Sequence, residues 1–268
     1  MKKILIVTGF FEPHKSGIIT YIKNFTDSLK IKNYQITVLT TKHNDGLKKI
    51  EYLNDIKVIR CKPSINISRG FYSIELVLIF LKIYKEFSYV NLHLPLVEIF
   101  PICFFLRKKQ TIINYHCLPE FPLYLKFIKI YFYFFGILSF IRSKFIIVLS
   151  EDYFKKIFLH KIFTKNLIEL PPYVPSPIIN MKQNFNKKKI KIGYLGRICE
   201  EKGLKYLILL SNNLVLKKID HELIIAGDIG DYRFKKYVNS ITVLARNNKS
   251  INFIGKLDAK QKEDFYNN

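Results

Sequence analysis

The 268 residues give length for one large or two modest domains, and a hydrophobic content of 49% excludes a disordered chain. Lys and Arg number 44 against 21 Asp and Glu, a formal net charge of +23 that suits an anionic partner: nucleic acid, an acidic lipid leaflet or phosphorylated small molecules. Cys61, Cys103, Cys117 and Cys199 form no C-x-x-C pair, which argues against a zinc module or a disulfide scaffold and predicts a reduced, cytoplasmic setting. The chain is also crowded with Lys, Ile, Asn, Phe and Tyr and has no Trp. AT-rich coding would produce that bias by itself, so the charge is weak evidence for any one partner.

Residues 4–7 read as a buried parallel strand ending at Thr8-Gly9. That apolar run of four is too short for a signal peptide. After a loop over 10–15, Ser16 has the character of a helix cap, with Gly17 in the first turn and Ile18, Ile22, Phe25 and Leu29 on one face. Strands follow at 34–40 and 56–61, separated by a polar loop over 44–54. This is a βαβ start without G-x-G-x-x-G, so no dinucleotide cofactor is supported. Residues 71–87 have helical spacing, 89–92 form a short strand with His93 just past it, and 94–106 read as a helix closed by Arg107-Lys108-Lys109. A strand over 111–115 carries His116 at its carboxyl end. Histidines at two successive strand ends are candidates for polar groups facing a cleft, although such residues are more often structural.

Residues 121–149 are the most lipophilic stretch. The uninterrupted apolar run 130–141 is 12 residues long, short of the roughly 20 needed to span a bilayer. Lys126, Lys129, Arg142 and Lys144 flank it. Basic flanks around an aromatic helix suit shallow seating in an anionic leaflet; a buried helix followed by a strand over 145–149 fits the same pattern, and one helix can do both. Ser150 caps a further helix to about residue 161, and 166–170 is a strand. The Pro-rich run 171–177 and the basic stretch 184–189 then break regular structure. The expected organisation is a domain over 1–178, a linker over 179–189 and a second domain over 190–268.

The βα alternation restarts with a strand over 190–195, a helix to about 216, a strand over 223–226, a Gly227-Asp228-Ile229-Gly230 turn, a helix over 232–245, a strand over 251–254 before Gly255, and a last helix from 259. The first of these strands ends in Gly196-Arg197, and Lys202-Gly203 opens the following helix. Open α/β sheets bind ligands at the carboxyl ends of their strands. Two cations beside free helix-start N–H groups suit a phosphate there, whereas an ordinary βα turn with two solvated cations has the same pattern.

The strand–Gly-Arg-x-x-x-x-Lys-Gly–helix, the Ala226-Gly227-Asp228 turn and the Phe253-Ile254-Gly255 strand end together resemble the GT-B glycosyltransferases of family 4. That resemblance implies an α/β chain of two Rossmann-like, doubly wound domains, the second incomplete, an acceptor-side domain first and a nucleotide-sugar donor domain after it. It implies sugar transfer from a nucleotide diphosphate, with retention of configuration, to a polysaccharide or lipid-linked acceptor. It assigns Arg197, Lys202 and Gly196 to the donor diphosphate, His116 to the transferred sugar, and Gly9, Ser16 and Gly17 to phosphates or acceptor, with His93 and Asp228 as further cleft residues. No metal or cofactor is expected, because two cations can neutralise the diphosphate and no Asp-x-Asp pair is present. Serine at 16 departs from the family's glycine pair and adds a side chain where backbone would approach a ligand. The family's E-x7-E donor motif and terminal helix are missing, so the expectation is a carboxyl-truncated enzyme of impaired activity, cytoplasmic or peripheral on the inner face of the plasma membrane. The alternative expectation is a non-catalytic remnant or partner subunit that binds a membrane surface or a second chain. Nucleic-acid binding has no supporting motif.

Overall fold

The central apolar runs of the first unit become parallel strands because they are buried on both faces, and alternate residues feed two separate cores. The computed structural model describes residues 2–67, 70–119, 126–157, 160–172, 189–230 and 234–267, so the 179–189 linker, save residue 189, lies outside the described residues. The chain divides into two units, Met1–Val174 and Pro175–Asn268.

The first unit runs β1 (Lys3–Thr8), α1 (Gly17–Ile31), β2 (Gln35–Thr41), β3 (Ile50–Leu53), β4 (Ile56–Cys61), β5 (Ile65–Ile67), β6 (Gly70–Tyr72) and α2 (Ile74–Ile83). It continues with β7 (Tyr89–Leu94), α3 (Ile99–Ile102), β8 (Thr111–Tyr115), α4 (Lys126–Ile141), β9 (Phe145–Val148), α5 (Glu151–Phe154) and β10 (Leu167–Glu169). Eight strands form one sheet in the order β10-β9-β8-β7-β1-β2-β4-β3. Only β3 is antiparallel to its neighbour. Along β1, Ile4 and Ile6 pack with Ile36, Val38 and Val58 against Ile22 of α1. Leu5 and Val7 point the other way, into a larger core with Leu76 and Phe80 of α2 and Phe140 of α4. Both caps expected from sequence are in place: the Ser16 hydroxyl accepts from the Ile19 amide at 3.3 Å, and the Ser150 hydroxyl accepts from the Tyr153 amide.

Several expected elements differ. The loop over 44–54 contains strand β3, whose short Ile-Glu-Tyr-Leu alternation suits an edge strand. The helix expected over 71–87 begins only at Ile74, because residues 70–72 are used as β6 and Ser73 caps α2 through the Leu76 amide at 3.1 Å. The helix over 94–106 shrinks to the single turn α3, which is interrupted by extended backbone at Phe100, ahead of Pro101. The helix expected from Ser150 to 161 is only α5, followed by a 3-10 segment over His160–Asn166.

The second unit runs β11 (Ile190–Leu195), α6 (Leu204–Leu216), β12 (His221–Ala226), α7 (Lys235–Ala245), β13 (Ile251–Gly255) and α8 (Ala259–Asn267). Its three strands are parallel in the order β11-β12-β13. Leu223 and Ile225 of β12, Leu204 and Ile208 of α6, and Val238 and Ile241 of α7 form its core. Among the described residues, no helix is long and apolar enough to cross a membrane.

Candidate functional site

In the second unit, the candidate diphosphate turn is built by the ends of all three strands. The Gly196 amide donates to the Ala226 carbonyl at 3.0 Å, and the Gly227 amide donates to the Gly255 carbonyl at 2.8 Å. Gly227 sits so close to its neighbour that a Cβ there would collide with the Gly196 carbonyl oxygen and meet Ile198 Cγ1 at 2.8 Å. Glycine is required by space here. The Tyr194 hydroxyl donates to the Arg197 carbonyl at 2.7 Å and ties the turn to its own strand. Ile198 and Cys199 are buried behind it, which leaves the Arg197 side chain 58% exposed on the outside.

Lys202 is not in the first turn of α6, as the sequence pattern suggests, but in a separate 3-10 turn over Glu200–Lys202. Gly203 follows with φ of 66°, a left-handed conformation that costs any other residue free energy, and it redirects the chain into α6. Because Gly203 has no side chain, the start of α6 has no side-chain cap. In its first turn the Lys205 amide donates to the Tyr237 hydroxyl at 3.2 Å and the Tyr206 amide to the Gly203 carbonyl at 2.9 Å. Arg197 faces Glu201 at 3.8 Å. An exposed pair of that length contributes little and can be exchanged for a stronger phosphate contact. Asp228 is occupied locally: one carboxylate oxygen accepts from the Gly230 amide at 2.9 Å and holds its own turn.

In the first unit, the two expected histidines meet. His93 Nδ1 and His116 Nε2 lie 2.9 Å apart with the rings stacked. His93 is not just past its strand but within β7, paired in register with Asn114 of β8, and it is buried. Burial holds the His93 pKa well below the ordinary value, with His116 adding to the effect, and burial pushes His116 down to about 4. Both rings are therefore neutral at pH 7. His93 Nε2 is buried without a partner among the described residues. A bare acceptor is cheaper to strand than an N–H, which favours His93 Nδ1–H donating to His116 Nε2. His116 then carries its proton on Nδ1, as a donor available to a ligand.

Tyr21 of α1 stands edge-on to the His116 ring at 5.1 Å. Its hydroxyl donates to Asn114 Oδ1 at 3.0 Å, and Asn114 Nδ2 donates to Asn91 Oδ1 at 2.8 Å. These supporting residues were missed from the sequence, although Asn-x-His recurs at Asn91–His93 and Asn114–His116, offset by two residues in the strand register so that His93 stands beside Asn114. Gly9 and Gly17 have open space where a Cβ would sit. The Ser16 hydroxyl serves as the α1 cap. A second aromatic group lies near the same loop, where His14 stacks on Phe10 at 4.9 Å and stands edge-on to His43 at 5.2 Å. Among the described residues there is no cluster of three or more His, Cys, Asp or Glu that could hold a metal.

The sequence model described as "Glycosyl transferases group 1" matches residues 176–268. No curated protein matches the sequence. Among solved structures, a glycosyltransferase from Rickettsia africae ESF-5 aligns over 99% of this chain and 71% of its own, with a TM-score of 0.61 at 16% identity. Anabaena Alr3699/HepE in complex with UDP-glucose aligns over 96% of this chain and 70% of its own, with a TM-score of 0.56 at 14% identity. A variant of S. aureus TarM in complex with fondaparinux, alpha-GlcNAc-glycerol and UDP aligns over 99% and 80%, with a TM-score of 0.61 at 12% identity. The fold is that of the GT-B glycosyltransferases.

Proposed function

We propose that this chain is a nucleotide-sugar-dependent glycosyltransferase of family 4 that acts with retention on a polysaccharide or lipid-linked acceptor, in the cytoplasm or at the inner face of the plasma membrane. One observation carries the proposal: the match to group 1 glycosyl transferases begins at residue 176 and includes the Gly196–Gly203 turn, with Arg197 just past β11 and Lys202 in the 3-10 turn that follows. In sugar transfer the bond from the anomeric carbon to the diphosphate oxygen breaks, and its electron pair stays on that oxygen. Arg197 and Lys202 would offset the charge that grows there; a group stabilising only the departing charge accelerates the step rather than merely binding substrate. His116 is neutral at pH 7, so its Nδ1–H would orient a sugar hydroxyl as a hydrogen-bond donor rather than as a cation. Gly9 and Gly17, with space beside them, would admit phosphate or acceptor. Residues 190–268 contain no E-x7-E pair, so slow transfer by residues 1–268 alone is part of the proposal.

Calorimetric titration with UDP, GDP and ADP tests the donor site. At least one should bind, and Arg197→Ala and Lys202→Ala should each weaken it by roughly tenfold or more, as expected for loss of a charge-assisted contact. Affinity unchanged in both variants overturns the assignment.

A further inference from the structure

We propose that the outward face of α4, together with the adjoining α3 segment, is a docking surface for a bilayer rich in anionic headgroups. The observation is a stripe of large apolar side chains with no protein partner above them among the described residues. Phe127, Ile130 and Phe134 are 66%, 69% and 61% exposed, and Ile141 continues the stripe one heptad after Phe134. Spacings of three, four and seven place all four on one side of the helix. Phe100 and Phe104 are also exposed and extend the stripe sideways, because both pack against Phe135 of α4, at 5.0 and 6.2 Å between ring centres. Soluble helices put polar residues on this side, and a contiguous apolar surface of this kind marks an interaction site.

The platform is held firmly. Tyr131 donates to the Val97 carbonyl at 2.7 Å and accepts from the Phe100 amide at 3.3 Å. Arg142 donates to the Phe104 carbonyl at 2.6 Å. Phe140 anchors the opposite side of α4 in the main core. The rings are thus presented outward by a backbone held in place, so that ordering on docking falls mainly on the side chains.

Charge selects the occupant. From residue 99 to 150 the sequence has seven Lys and Arg against one acidic residue, Glu120. Arg107, Lys108 and Lys109 are exposed just after α3, and Lys144 is exposed just after α4. A second copy of this chain, equally basic in the same stretch, would be repelled, whereas an anionic leaflet gains from each cation brought within a Debye length. At 16 residues, with charge at its end, α4 suits an interfacial position. This extends the proposal of a lipid-linked acceptor, but it stands on a surface that contains none of the donor residues.

The test is co-sedimentation of the full chain with vesicles of phosphatidylcholine alone or with about 30% phosphatidylglycerol. Phe127→Ser/Ile130→Ser/Phe134→Ser removes three exposed side chains and should leave the fold intact, as checked by circular dichroism. Lys108→Glu/Lys109→Glu is the charge variant. The anionic vesicles should retain the wild type, and each variant should bind about tenfold less or weaker still, with the affinity for nucleotide diphosphate unchanged. Equal retention on the neutral vesicles, undiminished binding of both variants, or a dimer in sedimentation velocity that the triple variant disperses would each overturn the proposal. Failure of the donor reading alone would appear only in the calorimetry.

Discussion

Glu98 is a fully buried carboxyl between β7 and α3, and replacing it with glutamine should remove part of the pH dependence of stability. One oxygen accepts from the Ser73 amide at 3.0 Å and from the Thr41 hydroxyl at 3.1 Å, while the other is buried without a partner among the described residues. Burial outweighs these hydrogen bonds and raises the pKa from the ordinary 4.5 to about 7. Below pH 4.5 the group is protonated whether the chain is folded or not, and its ionisation costs nothing. Above pH 7 it is ionised in both states, and the folded state carries a buried charge. Stability is therefore greatest at low pH with respect to this group and is lost as pH rises from about 4.5 to 7. A shift of that size corresponds to about 3 kcal/mol. Glutamine keeps the acceptor for Ser73 and Thr41 but places an amide where no partner stands, a pH-independent penalty of about 1–3 kcal/mol. The diagnostic quantity is thus a slope. Hydrogen-exchange protection of β2 and β4 peptides, followed through urea at pH 5 and pH 8, should show Glu98→Gln gaining about 2–3 kcal/mol on the wild type between the two. Parallel pH curves for the two proteins would refute the argument.

Two further outcomes follow from the site geometry. Gly227→Ala forces a methyl group against the Gly196 carbonyl and Ile198. It should cost the second unit about 1–3 kcal/mol, seen as lost protection of β11 and β12 peptides, and should weaken nucleotide-diphosphate binding in calorimetry; a variant indistinguishable in both would show that the turn is loosely packed. Because His116 is depressed to about 4 by burial, it is neutral above that pH and charges only below it. Its NMR titration should therefore be flat from pH 6 to 8, and a midpoint near 6.5 would remove the neutral hydrogen-bond donor.

How far the sequence showed this structure depends on where each residue finds its partners. Largely apolar runs revealed β1, β2, β4, β7 and β8, because a strand buried on both faces carries its signal within its own residues. Ser16 and Ser150 were readable for the same reason, since a cap bonds within three residues. The short pieces were not. β3 has four residues, and α3 and α5 are single turns, too few for any period to emerge. In the candidate site, the Gly196–Gly203 turn was legible as a motif. The separation of Lys202 from α6 was not, because it depends on the left-handed Gly203. His93 and His116 were picked out singly, and only the parallel alignment of β7 with β8, which sets His93 beside Asn114, brings their rings together. Buried Arg60 went unnoticed: its guanidinium bonds the Glu51 carboxylate and, at 2.7 Å, the Glu12 carbonyl, partners that are 9 and 48 residues distant.

The ladder from Gly196 to Ala226 and from Gly227 to Gly255 also determines where disorder remains before a ligand arrives. Main chain at the mouth of the three-stranded sheet is already fastened rung to rung, so it has little freedom left to surrender on capture of an anion. What must still be stilled are two long, solvent-washed arms, each giving up about 2 kcal/mol of rotamer entropy at most. Selectivity among nucleotides would then lie in the stiff frame, while grip, and its sensitivity to salt, would reside in the arms.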